Sequence, residues 1–141
     1  MLGIQSKNSD INKWRAFYRD NKYHELCETS VIPCKVVDDC GAKKFLLKLH
    51  DGLETESVIL QIDGFKKRRH TLCLSSQIGC AMGCDFCQTA KMGLLRNLTT
   101  AEIISQWHAA YHALGTTIDN IVFMGMGEPL LNSEGVLASL E

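Results

Sequence analysis

The 141-residue chain has no apolar run approaching the roughly 18 to 20 residues that a membrane-crossing helix needs, and its opening Met1-Leu2-Gly3-Ile4-Gln5-Ser6-Lys7 lacks the charged-then-apolar order of a secretory leader. Both absences lead to the expectation of a soluble, cytoplasmic protein that engages no membrane. There is also little excess charge of either sign: 15 Lys+Arg stand against 16 Asp+Glu, a formal net charge of −1. That balance removes the whole-molecule field by which a basic protein draws phosphate, so any polyanion site has to be a local patch. With 45% hydrophobic and 22% charged residues the composition is that of a globular chain, not of disorder, collagen or a coiled coil.

What the chain has in plenty is cysteine: Cys27, Cys34, Cys40, Cys73, Cys80, Cys84 and Cys87, seven in all. The count is odd, and with no secretory leader expected this argues for a reducing compartment and for metal or reactive-thiol chemistry over a disulfide framework. The first three are dispersed and read as free thiols. The last four fall within fifteen residues.

Three segments follow from the pattern along the chain. In residues 1–42, Trp14, Phe17, Tyr18 and Leu26 recur at roughly helical intervals, which predicts one short helix in an otherwise irregular stretch. Residues 43–70 read as a β-hairpin linker, with Phe45-Leu46-Leu47-Lys48-Leu49 and Glu56-Ser57-Val58-Ile59-Leu60 joined at Asp51-Gly52. The basic run Lys66-Lys67-Arg68-Arg69-His70 reads first as a solvated loop, with a phosphate contact as the alternative. From residue 71 onward, Thr71-Leu72-Cys73-Leu74 predicts a short buried strand and a cysteine- and glycine-rich loop up to Gly93. A helix follows, opened by the capping box Thr99-Thr100-Ala101-Glu102, carrying Ile103, Trp107, Ala110 or Tyr111, and Leu114 on one face, and stopped by Gly115. His108 and His112, four apart on that helix, read as surface residues more than as a metal pair. Ile121-Val122-Phe123-Met124 predicts a strand buried on both faces, and Asn132 or Ser133 a cap for a last helix. The alternation of strand, loop, helix and strand predicts an α/β fold with parallel strands and right-handed crossovers. Two parallel strands alone cannot cover both faces, so residues 71–141 are expected to be a truncated core, from a fragment, a truncated gene product or a chain completed by a partner.

Cys80-Ala81-Met82-Gly83-Cys84-Asp85-Phe86-Cys87 is a C-x3-C-x2-C spacing with an aromatic residue before its last cysteine. A structural zinc site wants four ligands, so zinc would need Cys73 or His70 as well. Three thiolates on a four-iron cluster leave one iron without a protein ligand. An open iron of that kind can be chelated by the amino and carboxylate groups of S-adenosylmethionine (SAM).

The cysteine spacing with Phe86 resembles that of the radical SAM superfamily, and Gly125-Met126-Gly127-Glu128-Pro129 resembles its Gly-Gly-Glu-Pro element. Thr71-Leu72-Cys73-Leu74-Ser75-Ser76-Gln77-Ile78-Gly79-Cys80, Arg96-Asn97-Leu98-Thr99 and Met124-Gly125-Met126-Gly127-Glu128-Pro129-Leu130-Leu131-Asn132 narrow the likeness to the bacterial adenine C2 methyltransferases of 23S ribosomal RNA and tRNA, related to the C8 resistance methyltransferases. The resemblance implies the first βαβ portion of a partial (β/α)6 barrel, a [4Fe-4S] cluster on Cys80, Cys84 and Cys87, and SAM contacts from Gly127 and Glu128. It further implies a radical route to an electron-poor ring carbon through a methyl-cysteine intermediate. Cys73 matches the cysteine that takes the C2 proton and closes a disulfide as product leaves. Glu56, in Thr55-Glu56-Ser57-Val58, matches a glutamate assigned as proton acceptor. A small buried strand residue and a solvated strand glutamate are the plainer readings of those two. The family's methyl-carrying cysteine lies in a C-terminal half without a counterpart in residues 1–141, so the chain alone is not expected to complete methyl transfer. RNA, an electron donor and a second chain supplying that half are the partners implied. Another radical SAM reaction, or a non-catalytic iron–sulfur or zinc module, is the alternative.

Overall fold

The computed structural model describes residues 33–83, 85 and 93–141. The helix expected around Trp14, Phe17, Tyr18 and Leu26 lies outside them, as do Cys27, Cys84 and Cys87.

A five-stranded mixed sheet forms the frame. Its strands are β1 (Lys35–Asp39), β2 (Ala42–Lys48), β3 (Glu54–Asp63), β4 (Arg68–Cys73) and β7 (Asn120–Val122), in that spatial order. The first four pair antiparallel and β4 pairs parallel with β7. A parallel pair needs a crossover. It is supplied by the short antiparallel pair β5 (Gln77–Gly79) and β6 (Leu94–Asn97) and by helix α1 (Thr100–His108), which continues through a wider π-type turn at Ala109–Ala113. After β7 the chain makes a 3-10 turn at Pro129–Asn132 and helix α2 (Ser133–Leu140).

The Asp51-Gly52 hairpin forms as its sequence implies, and the Thr99 capping box is complete, with Thr99 Oγ accepting from Glu102 N at 3.2 Å and Thr99 N donating to Glu102 at 2.9 Å. Strand alternation decides the core. Phe45, Leu47, Thr55, Ser57, Ile59 and Leu72 point to one face and are buried, against residues that include Ile103 of α1 and Ala110 of the π-type turn. The opposite face carries Lys44, Glu56, Val58 and Cys73, whose register places them side by side.

Several local expectations change. The irregular stretch expected up to residue 42 includes β1, turned into β2 at Cys40-Gly41, where Cys40 adopts φ +40°. Its turn residues, Cys40-Gly41, are not the Asn-Gly pair that signals a hairpin, so the local sequence carries no hairpin signal there. The basic run is not a loop throughout: Arg68, Arg69 and His70 open β4, which crosses the boundary drawn at residue 70 and joins hairpin and core in one sheet. The cysteine-rich loop contains β5 and is closed by β6. The strand expected at Ile121-Val122-Phe123-Met124 has only three residues and is not buried on both faces. Ile121 and Met124 are exposed because β7 is the sheet's last strand, with no described strand on its outer edge. His108, expected at the surface, is buried, its ring 4.3 Å from that of His112. Among the described residues no helix is long and apolar enough to cross a membrane.

Candidate functional site

Both parallel strands run toward the same end of the sheet, and their C-terminal ends lead into the two segments that the sequence singled out. β4 ends at Cys73 and continues through Leu74-Ser75-Ser76 into β5 and Cys80; β7 ends at Val122 and continues into Gly125-Met126-Gly127-Glu128-Pro129. Open α/β sheets bind ligands at such strand ends. The two segments are docked on one another. Ser76 and Gln77 both donate their backbone N–H to Met126 O, at 2.9 and 3.2 Å, and Met126 N donates to Ser75 Oγ at 2.8 Å. Gln77, fully buried, accepts from Glu128 N at 2.9 Å through its side-chain oxygen and donates to Asn97 Oδ1 at 2.8 Å. Gly127 has φ +92°, and a Cβ there would lie 2.4 Å from Gln77 Cβ, so this position takes glycine because Gln77 fills the space.

The base of the cysteine loop is equally constrained. Cys80 N donates to Gly93 O at 3.1 Å, and a Cβ on Gly79 (φ +77°) would sit 1.8 Å from the same oxygen. Cys80 and Gly93 therefore meet at one stem, with Cys80 three residues beyond Gln77, about 10 Å at strand spacing. Cys80 is buried, and its sulfur accepts from Met82 N at 3.5 Å. A soft sulfur donor already receiving an N–H bond suits an iron–sulfur ligand. Glu128 engages one carboxylate oxygen with Leu130 N at 3.1 Å, and the other has no partner among the described residues, which suits an ammonium group. Cys80 and Glu128 thus fit the cluster and SAM. Among the described residues no three metal-binding side chains cluster, Cys84 and Cys87 lying outside that set.

Glu56 and Cys73 come together on one sheet face. Cys73 stands in register between Val58 of β3 and Val122 of β7, and Glu56 is two residues along β3 from Val58, a diagonal spacing of about 7 to 8 Å between backbones. Glu56 is half-exposed and paired with Lys44 Nζ at 3.3 Å. Burial pushes the Cys73 thiol above its ordinary value, which keeps it protonated at neutral pH.

The supporting shell was not visible in the sequence. Gln106 of α1 accepts from Ser57 Oγ at 2.7 Å and Ser75 N at 2.9 Å, and donates to Ser75 O at 2.9 Å, all buried. Asn132 holds the N-cap position of α2, yet its amide donates to Ser76 O at 2.7 Å and Leu98 O at 2.9 Å. Arg96 grips buried Glu102 with two bonds of 2.7 and 2.8 Å and Asp51 with a third of 2.9 Å. These bonds hold its guanidinium pKa well above the ordinary value, Glu102 contributing most. The one available signal was the polar run Ser75-Ser76-Gln77 between apolar strands.

No protein-family profile matches the chain. Among curated proteins it is 50% identical over 107 residues to the dual-specificity RNA methyltransferase RlmN of Alkalilimnicola ehrlichii, a match covering 74% of this chain and 29% of that protein. It is 56% identical over 99 residues to the same-named protein of Lawsonia intracellularis, covering 65% and 28%. Against the probable dual-specificity RNA methyltransferase RlmN 1 of Protochlamydia amoebophila it is 53% identical over 113 residues, covering 79% and 30%. The chain thus spans under a third of the length of these relatives. The crystal structure of a radical SAM methyltransferase from Sphaerobacter thermophilus superposes with a TM-score of 0.70 at 36% identity, covering 91% of this chain and 37% of that one. Sequence identity near one half and a shared fold lead to one assignment: the chain belongs to the RlmN radical SAM family.

Proposed function

We propose that this chain carries the cofactor-binding part of a cytoplasmic radical SAM methyltransferase acting on adenine C2 in 23S ribosomal RNA and tRNA. The observation that carries the reading is the docking of the Cys80 stem onto the Gly127-Glu128 segment through Gln77, at the carboxyl ends of β4 and β7. In this reading Cys80, Cys84 and Cys87 hold a [4Fe-4S] cluster, and Gly127 and Glu128 hold SAM, within the first βαβ portion of a partial barrel. Bound there, cluster and SAM would supply a radical able to break an unactivated C–H bond. Adenine C2 lies between two ring nitrogens and is too electron-poor to attack a methyl sulfonium, so such a route suits it.

The chain's own residues then have separate tasks. Glu128 meets the amino group of SAM with its free carboxylate oxygen while the other fixes the turn at Leu130. Glu56, held by Lys44, takes the proton that leaves the ring carbon. Cys73, buried at the end of β4, is the thiol that closes a disulfide with the methyl-carrying cysteine, as the bond from that cysteine's sulfur to the product's carbon breaks with its electron pair and the Cys73 proton passes to that carbon. That second cysteine comes from the remaining part of such an enzyme, in a second chain where the barrel is completed in trans, and an electron donor serves the cluster.

Anaerobic reconstitution with iron and sulfide, followed by electron paramagnetic resonance with and without SAM, tests the reading. Iron and sulfide in equal amounts and a cluster signal that changes on adding SAM are expected. Cys84→Ala abolishes the signal, whereas Glu128→Gln keeps the cluster and weakens the response to SAM. A single zinc per chain, or a cluster indifferent to SAM, would sink the proposal.

A further inference from the structure

The tip between β3 and β4 is not used by the site described above, and its make-up is unusual for a solvated turn. Phe65 is fully exposed. The turn that presents it is tight: Gly64 N donates to Lys67 O at 3.1 Å, and a Cβ on Gly64 would lie 2.7 Å from that oxygen. Four cations follow in succession, Lys66, Lys67, Arg68 and Arg69, in a chain whose net charge is −1. Two are locally neutralised, Lys67 by Asp119 at 2.8 Å and Arg68 by Asp63 at 3.0 Å. Lys66 and Arg69 are exposed and make no ion pair with any described residue.

From this arrangement we infer that the Phe65 tip is an RNA-docking contact, in which an unpaired base stacks on Phe65 while Lys66 and Arg69 meet the flanking phosphates. An aromatic face beside cations is the combination by which proteins hold single-stranded nucleotides, because every base has a π-face and every linkage a negative charge. RNA is favoured over an anionic membrane because the tip offers a single aromatic side chain and a half-exposed Ile62, too little apolar surface for insertion, but cations on the chain's next four positions. The inference rests on the RNA-methyltransferase reading and adds to it a second point of contact. β3 separates the tip from Glu56 by seven residues, about 23 Å at strand spacing, so the contact is remote from the reacting base and serves binding, not chemistry.

The test is fluorescence anisotropy of the chain with a labelled RNA stem-loop bearing adenines in its loop, over a series of salt concentrations. Phe65→Ala is expected to weaken binding about fivefold or more. Lys66→Ala is expected to flatten the plot of log affinity against log salt by about 0.7 to 0.9. Both variants should keep the melting temperature and the SAM-dependent cluster signal, since the tip packs on nothing in the site. RNA binding that is indifferent to both substitutions overturns the inference and leaves the methyltransferase reading standing. A wild-type chain that binds no RNA, or that binds anionic phosphatidylserine vesicles through Phe65 instead, overturns the inference, and a cluster that ignores SAM at the same time marks failure of the reading beneath it.

Discussion

Gln77 joins Glu128 to Asn97 through one buried amide, accepting from the first at 2.9 Å and donating to the second at 2.8 Å. The strand after the cysteine loop and the Gly-Glu-Pro element therefore share a single ruler. Replacing it by an apolar side chain of similar size leaves the Glu128 N–H without an acceptor, a cost of about 1 to 3 kcal/mol for a buried donor. Gln77→Leu is accordingly expected to lower SAM affinity about tenfold with iron and sulfide content unchanged. Spectral titration of the reconstituted protein with SAM reads the first, and metal analysis the second.

Arg96 is held to α1 by two bonds to Glu102, whose side chain is only 2% exposed. Removing the guanidinium strands a buried carboxylate, which typically costs about 3 to 5 kcal/mol. The Thr99 N–H still bonds that carboxylate, so Arg96→Ala should fall at about the lower end of this range. Thermal unfolding measures it, and an unchanged melting temperature would contradict the described geometry.

Cys73 should resist alkylation. Burial raises its thiol above the ordinary value of 9.0, whereas Cys34 and Cys40 are exposed. Iodoacetamide at mildly alkaline pH is expected to label Cys34 and Cys40 first, with Cys73 reacting only as the pH rises further or the chain unfolds. Mass spectrometry of the labelled peptides gives the order. The sign for stability follows: the folded state holds this proton more tightly, so the contribution is present below pH 9.0 and is lost as pH climbs through the raised folded value.

Asp51 and Asp119 behave oppositely. The Arg96 bond lowers Asp51, and the Lys67 bond with the His70 N–H lowers Asp119, both from 3.8. Their contribution is present above the ordinary carboxylate value and disappears as pH falls through the lowered one. Asp51→Asn and Asp119→Asn should therefore reduce stability at about pH 6, and by progressively less once the pH is below the ordinary 3.8 and falling through the lowered values. Urea unfolding across that range decides, and a deficit that stays constant would contradict the linkage.

What could be read from the sequence, and what could not, divides along physical lines. The Asp51-Gly52 turn, the Thr99 capping box and the strand run from Phe45 are local signals, complete within a few residues, and each formed. The cysteine spacing and Gly127-Glu128 carry their message in spacing and order alone, and the roles they imply belong to the proposal that the cluster experiment tests. Gln77, Asn97, Gln106 and Asn132 were not legible, since each acts on a segment tens of residues away and only the folded register brings them together. Ile121 and Met124 misled for a related reason. Their apolar character describes a strand covered on both sides, while exposure depends on whether another strand lies beside them.

The paired strands β5 and β6 also bear on the order in which the site is assembled. Gly79 and Gly93 lie in contact whatever occupies the intervening residues, so the entropy of bringing the ends of the cysteine loop together belongs to folding of the sheet and not to metal capture. On the proposed reading the scaffold folds first and iron enters afterwards, as into a receptacle filled by a separate delivery step.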